Sequence, residues 1–115
     1  MSYEIHISVK IEGINQYASV ARPEHSSPTY NLGNMFRASM VWDFKQGVEY
    51  NCAEVIDNIT DGINALKCFP YAFKKYEPEN KWGTVESAIR DLESLRDCIY
   101  EIAEYIPIEH LYMRW

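Results

Sequence analysis

Over residues 3–11 apolar and polar positions alternate. Ile5, Ile7, Val9 and Ile11 fall on one face, and Glu4, His6, Ser8 and Lys10 on the other. Period two in a run rich in β-branched residues predicts a half-buried strand. Gly13 can end it, and residues 17–21 predict a weaker returning strand. A lone hairpin is marginal in water, so its apolar face has to rest on helices.

The period then changes. Residues 22–33 hold Pro23, Ser26, Ser27, Pro28, Asn31 and Gly33, a loop composition. A loop of that length in a small chain points to function. Residues 32–40 predict a short helix that turns Leu32, Met35, Phe36 and Met40 inward, and the aromatic residues 41–50, with Gly47, read as a loop. Asn51 is placed to cap a helix, with Glu54 completing a capping-box pattern. Cys52, Val55, Ile56, Ile59, Ile63 and Leu66 recur at helical spacing, while Asp57, Asn58, Asp61 and Asn64 take the wet side. Gly62 in this helix costs about 1 kcal/mol relative to alanine, which marks a place of close packing. Pro70 stops the helix or starts a short one over residues 71–76, before Pro78.

The last helix has the strongest pattern. Thr84 is its N-cap, and Val85, Ala88, Leu92, Leu95, Ile99, Ile102 and Ile106 alternate by three and four residues up to Pro107. That is a seam of about three heptads, which a chain this small needs for its own core, with a helix–helix dimer as the alternative use. Residues 108–115 keep Leu111, Tyr112 and Met113, more apolar surface than a free end carries. Docking or an oligomer contact is expected there. The sum is an α+β fold, mainly α: a short N-terminal strand or hairpin packed on three to four helices, in one domain over residues 1–115.

Composition agrees with a folded chain. Of 115 residues 47% are hydrophobic and 14% aromatic, unlike disordered sequences. Net charge is −6 and uneven: residues 84–115 hold seven acids and three bases, so this third carries −4. An acidic surface repels phosphate backbones, which argues against long DNA or RNA as a partner. The plain reading of the excess is solubility. Cys52, Cys68 and Cys98 are odd in number and form no C-x-x-C pair, which fits reduced thiols in a cytoplasm. Without a basic-then-apolar leader or an apolar run near the ~20 residues of a membrane helix, the expected location is a cytosol, the host's included, with no membrane partner.

Catalytic patterns are missing: no phosphate-binding G-x-x-x-x-G-K-[ST], no G-x-G-x-x-G, no H-E-x-x-H. His6, His25 and His110 are scattered, Cys52 and Cys68 read as core, and no cofactor or metal is expected. Glu86, Asp91, Glu93, Asp97, Glu101 and Glu104 on the last helix read as a solvated face. Two aromatic–polar clusters stand out instead. One is Thr29-Tyr30-Asn31 with Asn34 and Met35; the other is Pro78-Glu79-Asn80-Lys81-Trp82-Gly83, which leads into the last cap. Rings offer a stacking platform and amides offer directional hydrogen bonds. A helix N-terminus after Gly83 suits an anion, and Arg37 can pair with phosphate. The competing reading has Trp82 plugging the core while Asn31 and Asn80 tie down their loops.

At these clusters the chain resembles a group of small bacteriophage and prophage proteins of unknown function. The matching pieces are Thr29-Tyr30-Asn31 to Met35, Asp61-Gly62-Ile63-Asn64-Ala65-Leu66 and Pro78-Glu79-Asn80-Lys81-Trp82-Gly83, over residues 29–102. Lys81 and the longer 41–50 segment depart from the group's pattern. The resemblance implies a phage protein, and with it a role against host defence. Three expectations follow. The first is a non-catalytic pocket, at an oligomer interface or within one chain, where Tyr30, Asn31, Arg37, Asn80 and Trp82 hold a small nucleotide-type signal. The second is a protein–protein inhibitor of a host defence protein, acting through the acidic C-terminal helix. The third is a hydrolase using His6 or His25 with a carboxylate, the reading with least support.

Overall fold

The computed structural model describes residues 2–25, 28–40, 42–80 and 83–115, with Tyr30 described by its backbone alone. The fold is α+β and mainly α. Strands β1 (His6–Ile11), β2 (Gln16–Ala21), β3 (Tyr50–Asn51) and β4 (Leu111–Arg114) form one antiparallel sheet in the order β2-β1-β4-β3. Helices α1 (Gly33–Met40), α2 (Cys52–Cys68), α3 (Pro70–Phe73) and α4 (Val85–Ala103) accompany it among the described residues.

The predicted hairpin is β1–β2. Its register passes from Ile7↔Ala21 to Ser8↔Ser19, so Val20 is an extra residue on the edge strand. A bulge there adds twist and discourages edge pairing. Ile5 and Ile7 are fully buried, but Ile11, also placed on the inner face, is 40% exposed near the hairpin's far end. The apolar tail docks within the chain: residues 111–114 are β4, inserted between β1 and β3 with Ile7↔Met113 and Val9↔Leu111 opposite one another.

Helix α2 buries Val55, Ile56, Ile59, Ile63 and Leu66, the stripe the sequence predicts. It is capped by Asn51, whose Oδ1 accepts from Ala53 N at 2.9 Å. The expected partnership with Glu54 is replaced by a tertiary one: Asn51 Nδ2 donates to the Glu109 carbonyl at 2.8 Å, which ties the cap to the segment entering β4. Gly62 is indeed a close approach. A β-carbon there would stand 2.7 Å from Met40 Cβ, so α1 crosses α2 at this point. In α1, Leu32 (just ahead of it), Met35, Phe36 and Met40 are all buried, as predicted. After α2, Pro70 opens α3, and a 3-10 turn, Lys74–Tyr76, completes the expected short helical segment.

Helix α4 buries Val85, Ala88, Leu92, Leu95 and Ile99 inside the same core, so its seam serves the chain itself. It ends at Ala103 rather than at Pro107, and the chain turns through residues 104–106 with Ile106 packed on the core. Two side chains of the helices differ from expectation. Asp91, read as part of a solvated face, is 4% exposed. Cys68, read as core, is exposed because α2 ends there; Cys52 is buried and Cys98 half-buried. Residues 42–49, read as a loop, have no regular structure, yet their rings are structural. Trp42 is 3% exposed, stacked on Phe36 at 5.4 Å and edge-on to Phe44 at 4.7 Å. Trp115 holds this segment in place: its Nε1 donates to the Phe44 carbonyl at 3.0 Å, and its carbonyl accepts from Gly47 N at 2.8 Å.

Candidate functional site

The first aromatic–polar cluster forms the entry to α1. Asn31 N donates to Thr29 Oγ1 at 3.3 Å and Leu32 N to the Thr29 carbonyl at 3.0 Å, which sets a 3-10 turn, Tyr30–Leu32, ahead of the helix. Leu32 is driven into the core and Asn31 is left exposed.

The second cluster meets it. Gly83 has φ +116°, and a β-carbon on it would lie 3.0 Å from Leu32 Cδ2 and 3.6 Å from the Asn31 carbonyl carbon. Gly83, the last residue of the second cluster, therefore lies against the entry to α1 at Asn31 and Leu32. Asn80 is exposed in the turn before α4. Arg37 is exposed on α1 and folds back over the helix start, with Nη2 donating to Asn34 Oδ1 at 2.7 Å. Both its Nη atoms would be 3.3 Å from a β-carbon on Gly33, beside the Tyr3 hydroxyl at 3.0 Å. Trp82 and the Tyr30 side chain lie outside the described residues. The structure thus joins Asn31 to Gly83 and sets Arg37 against Gly33, two residues on from Asn31.

The start of α4 is not an open anion site, contrary to its sequence reading. Ser87 N donates to Thr84 Oγ1 at 3.0 Å and Thr84 N to Ser87 Oγ at 2.8 Å, a reciprocal capping box. Val85 N donates to Glu77 Oε2 at 2.8 Å. A carboxylate of the chain already sits where a ligand's phosphate would go.

The histidines lie in two other places. His6 Nδ1 is 3.3 Å from Ser19 Oγ across the hairpin. Burial, then the guanidinium groups of Arg22 and Arg114, push its pKa below the usual histidine range, against a smaller opposing pull from Glu4. His25 uses its backbone N–H to bond Ser94 Oγ at 2.9 Å. Near it, the buried Asp91 takes both Nε and Nη2 of Arg90 on Oδ1 at 3.2 Å. Burial pushes the Asp91 carboxyl up, and Arg90 and His25 pull the other way. No ring nitrogen of His6 or His25 bonds a carboxylate among the described residues. Nor do three or more His, Cys, Asp or Glu side chains gather there to hold a metal ion.

Two clefts run along α4, of about 360 and 150 Å³, sharing Glu24, Ser94 and Asp97. The acids of α4 stand out in the sequence, whereas Glu24 and His25, which arrive from the loop before α1, carry no signal there that ties them to α4. A third cleft, of about 500 Å³, opens at the end of the sheet between Glu4, His6, Gln46 and Arg114. No helix among the described residues is long and apolar enough to cross a membrane. Comparison with protein-family models, with curated proteins and with solved structures found no match for this chain.

Proposed function

We propose that this is a non-catalytic binding protein, encoded by a phage and acting against host defence, that sequesters a small nucleotide-type ligand where the entry to α1 meets the segment before α4. One observation supports this reading: Gly83, the last residue of the second cluster, lies against Leu32 and the Asn31 backbone at the end of the first, although the two are far apart in sequence. A guanidinium stands beside that contact at Arg37, with a single described hydrogen bond, to Asn34. A guanidinium of this kind pairs with phosphate through its remaining donors. Because Glu77 fills the α4 terminus, Arg37 has to supply the charge. Asn31 and Asn80 supply the directional hydrogen bonds, and Tyr30 and Trp82 the stacking rings.

The test is mass spectrometry of small molecules released by heat from purified protein, after incubation with extracts of cells whose nucleotide-signalling defences are active. An intact nucleotide, lost in folded Arg37→Ala and Asn80→Ala variants, supports the reading. An altered nucleotide points to an enzyme instead. Nothing released from a folded protein overturns it for the signals present.

A second reading, inhibition of a host defence protein through α4, is favoured by a separate observation. Glu86, Glu101 and Glu104 are exposed and have no ion pair among the described residues, and Glu24 extends the acidic surface beside the clefts. Charge reversal at Asp97 and Glu101 separates the two readings. It abolishes inhibition of a protein partner and leaves nucleotide release unchanged.

A further inference from the structure

The cleft at the end of the sheet has its own chemistry, independent of the surface at Asn31 and Gly83. Its walls come from three parts of the chain: the N-terminal segment with Ser2, Glu4 and His6, the turn at Gln46 and Gly47, and Arg114 and Trp115 at the end of β4. Antiparallel pairing sets His6 directly opposite Arg114, and Arg22 follows Ala21, whose partner is Ile7. Two guanidinium groups and an imidazole therefore gather at one end of the sheet, in a chain whose net charge is −6.

Arg114 is poorly compensated there. Its described ion pair is Nη1 to Glu49 Oε1 at 3.7 Å, beyond hydrogen-bond length, and its side chain is half exposed. Burial pushes the Glu49 carboxyl up, against the pull of Arg114, so the carboxylate facing it is a reluctant charge. The other oxygen, Glu49 Oε2, is buried with no hydrogen-bond partner among the described residues. The charges around His6 act in opposite directions. After burial, Arg22 and Arg114 disfavour the protonated ring more than Glu4 favours it. The volume, about 500 Å³, is of the size that takes small organic ligands.

We infer that this cleft is a binding site for a small, singly charged oxyanion, a carboxylate or a phosphodiester, taken by the Arg114 guanidinium with His6 beside it. Arg114 gives the planar fork that matches two oxygens. His6 adds a second donor and gains a proton more readily once the anion is in place, because the anion offsets the two guanidinium groups. Glu4, on the same wall, limits the negative charge the cleft accepts. By linkage, binding strengthens as pH falls through the titration of His6, whose charged neighbours are Glu4, Arg22 and Arg114, with the neutral Ser19 against it from β2.

The experiment is an NMR titration of the ring protons of His6 with acetate and with diethyl phosphate, assigned by loss of the signals in His6→Gln. Saturable shifts, and a rise in the pH at which the ring titrates, are expected. Arg114→Gln should weaken binding by about tenfold or more, as loss of a charge-assisted hydrogen bond does. Arg37→Ala should leave it unchanged, which separates this site from the nucleotide surface. If Arg114→Gln does not fold, Arg114→Lys retains the charge without the fork and should bind with intermediate strength. Absence of saturation at roughly tens of millimolar, or binding untouched by either Arg114 variant, overturns the inference.

Discussion

Gly83 is seated on Leu32: its φ is +116°, and a β-carbon would come within 3.0 Å of Leu32 Cδ2. This contact joins the start of α4 to the start of α1, and a side chain at Gly83 disturbs it twice, through backbone strain and through the clash. Gly83→Ala should cost about 1–3 kcal/mol, read as a lower urea midpoint with an unchanged slope. Leu32→Ala relieves the clash and not the strain, so it restores only part of the difference between glycine and alanine at position 83. Full restoration would show that the backbone angle carries no strain.

Gly62 makes the opposite case to the usual helix rule. In an exposed helix, alanine for glycine gains up to about 1 kcal/mol. Here the new β-carbon would lie 2.7 Å from Met40 Cβ and 2.8 Å from its sulfur. Gly62→Ala should therefore destabilise, by about 1–3 kcal/mol, as overpacking does. Met40→Ala does not rescue it, because the nearest atom is the β-carbon, which alanine keeps. Thermal unfolding of the two single variants and the double variant measures this coupling.

The helices were legible because their apolar positions repeat at 3.6 residues, and α2 and α4 bury nearly the residues the spacing selects. Strand β4 was not. Its four residues show an apolar tail, but nothing in them says that the partner is β1, at the other end of the chain. Asp91 was misplaced because residue type outweighed position: it stands three residues after Ala88 and four before Leu95, on the buried stripe itself. Spacing alone could have found it. The meeting of Asn31 with Gly83 has no signature in sequence, since it depends on where α1 and α4 start in space. The filled N-terminus of α4 was hidden for the same kind of reason. Glu77 lies eight residues before Val85, and only the turn between them brings carboxylate and N–H together.

The three thiols should separate cleanly by reactivity. Cys68 is exposed, Cys98 half-buried, and Cys52 has no exposed surface, with its pKa pushed up to about 12, first by burial and then by Cys98. The thiolate is the nucleophile, so access and pKa act in the same direction. Native protein mixed with iodoacetamide should add one group quickly at Cys68, a second slowly at Cys98, and a third only in denaturant. Peptide mass spectrometry reads the order. Early labelling of Cys52 would mean that α2 opens at its first turn.

Asp91 should give stability a pH dependence of definite sign. Its folded pKa is raised, chiefly by burial. The folded state thus holds a proton where the unfolded state has lost it, and stability falls as pH rises from the ordinary aspartate range through the raised value. Asp91→Asn removes this titration. The stability of wild type relative to Asp91→Asn should therefore improve on acidification through that window and level off below it. Arg90→Ala should enlarge the change, because Arg90 is the partner that favours the charged form. Urea melts across the acid range measure both, and a wild-type advantage that shrinks with falling pH would reverse the assignment of burial as the dominant cause.

Glu77 occupies the position at α4 that an external anion would otherwise take. Its Oε2 accepts from Val85 N at 2.8 Å, and Val85 is buried. Glu77→Ala leaves that donor without its partner and removes a negative charge from the positive end of the helix, so it should cost about 1–2 kcal/mol. Glu77→Gln retains the acceptor and should cost less. The same logic sets the response to phosphate. Wild type presents a filled terminus, whereas Glu77→Ala presents a free N–H in the first turn of α4, and phosphate should raise its Tm more than it raises that of wild type. Because the oxyanion cleft at Arg114 is intact in both proteins, its contribution cancels in the difference. Equal shifts would mean that the terminus does not take an anion even when vacated, and that the carboxylate acts on the helix through its hydrogen bond alone.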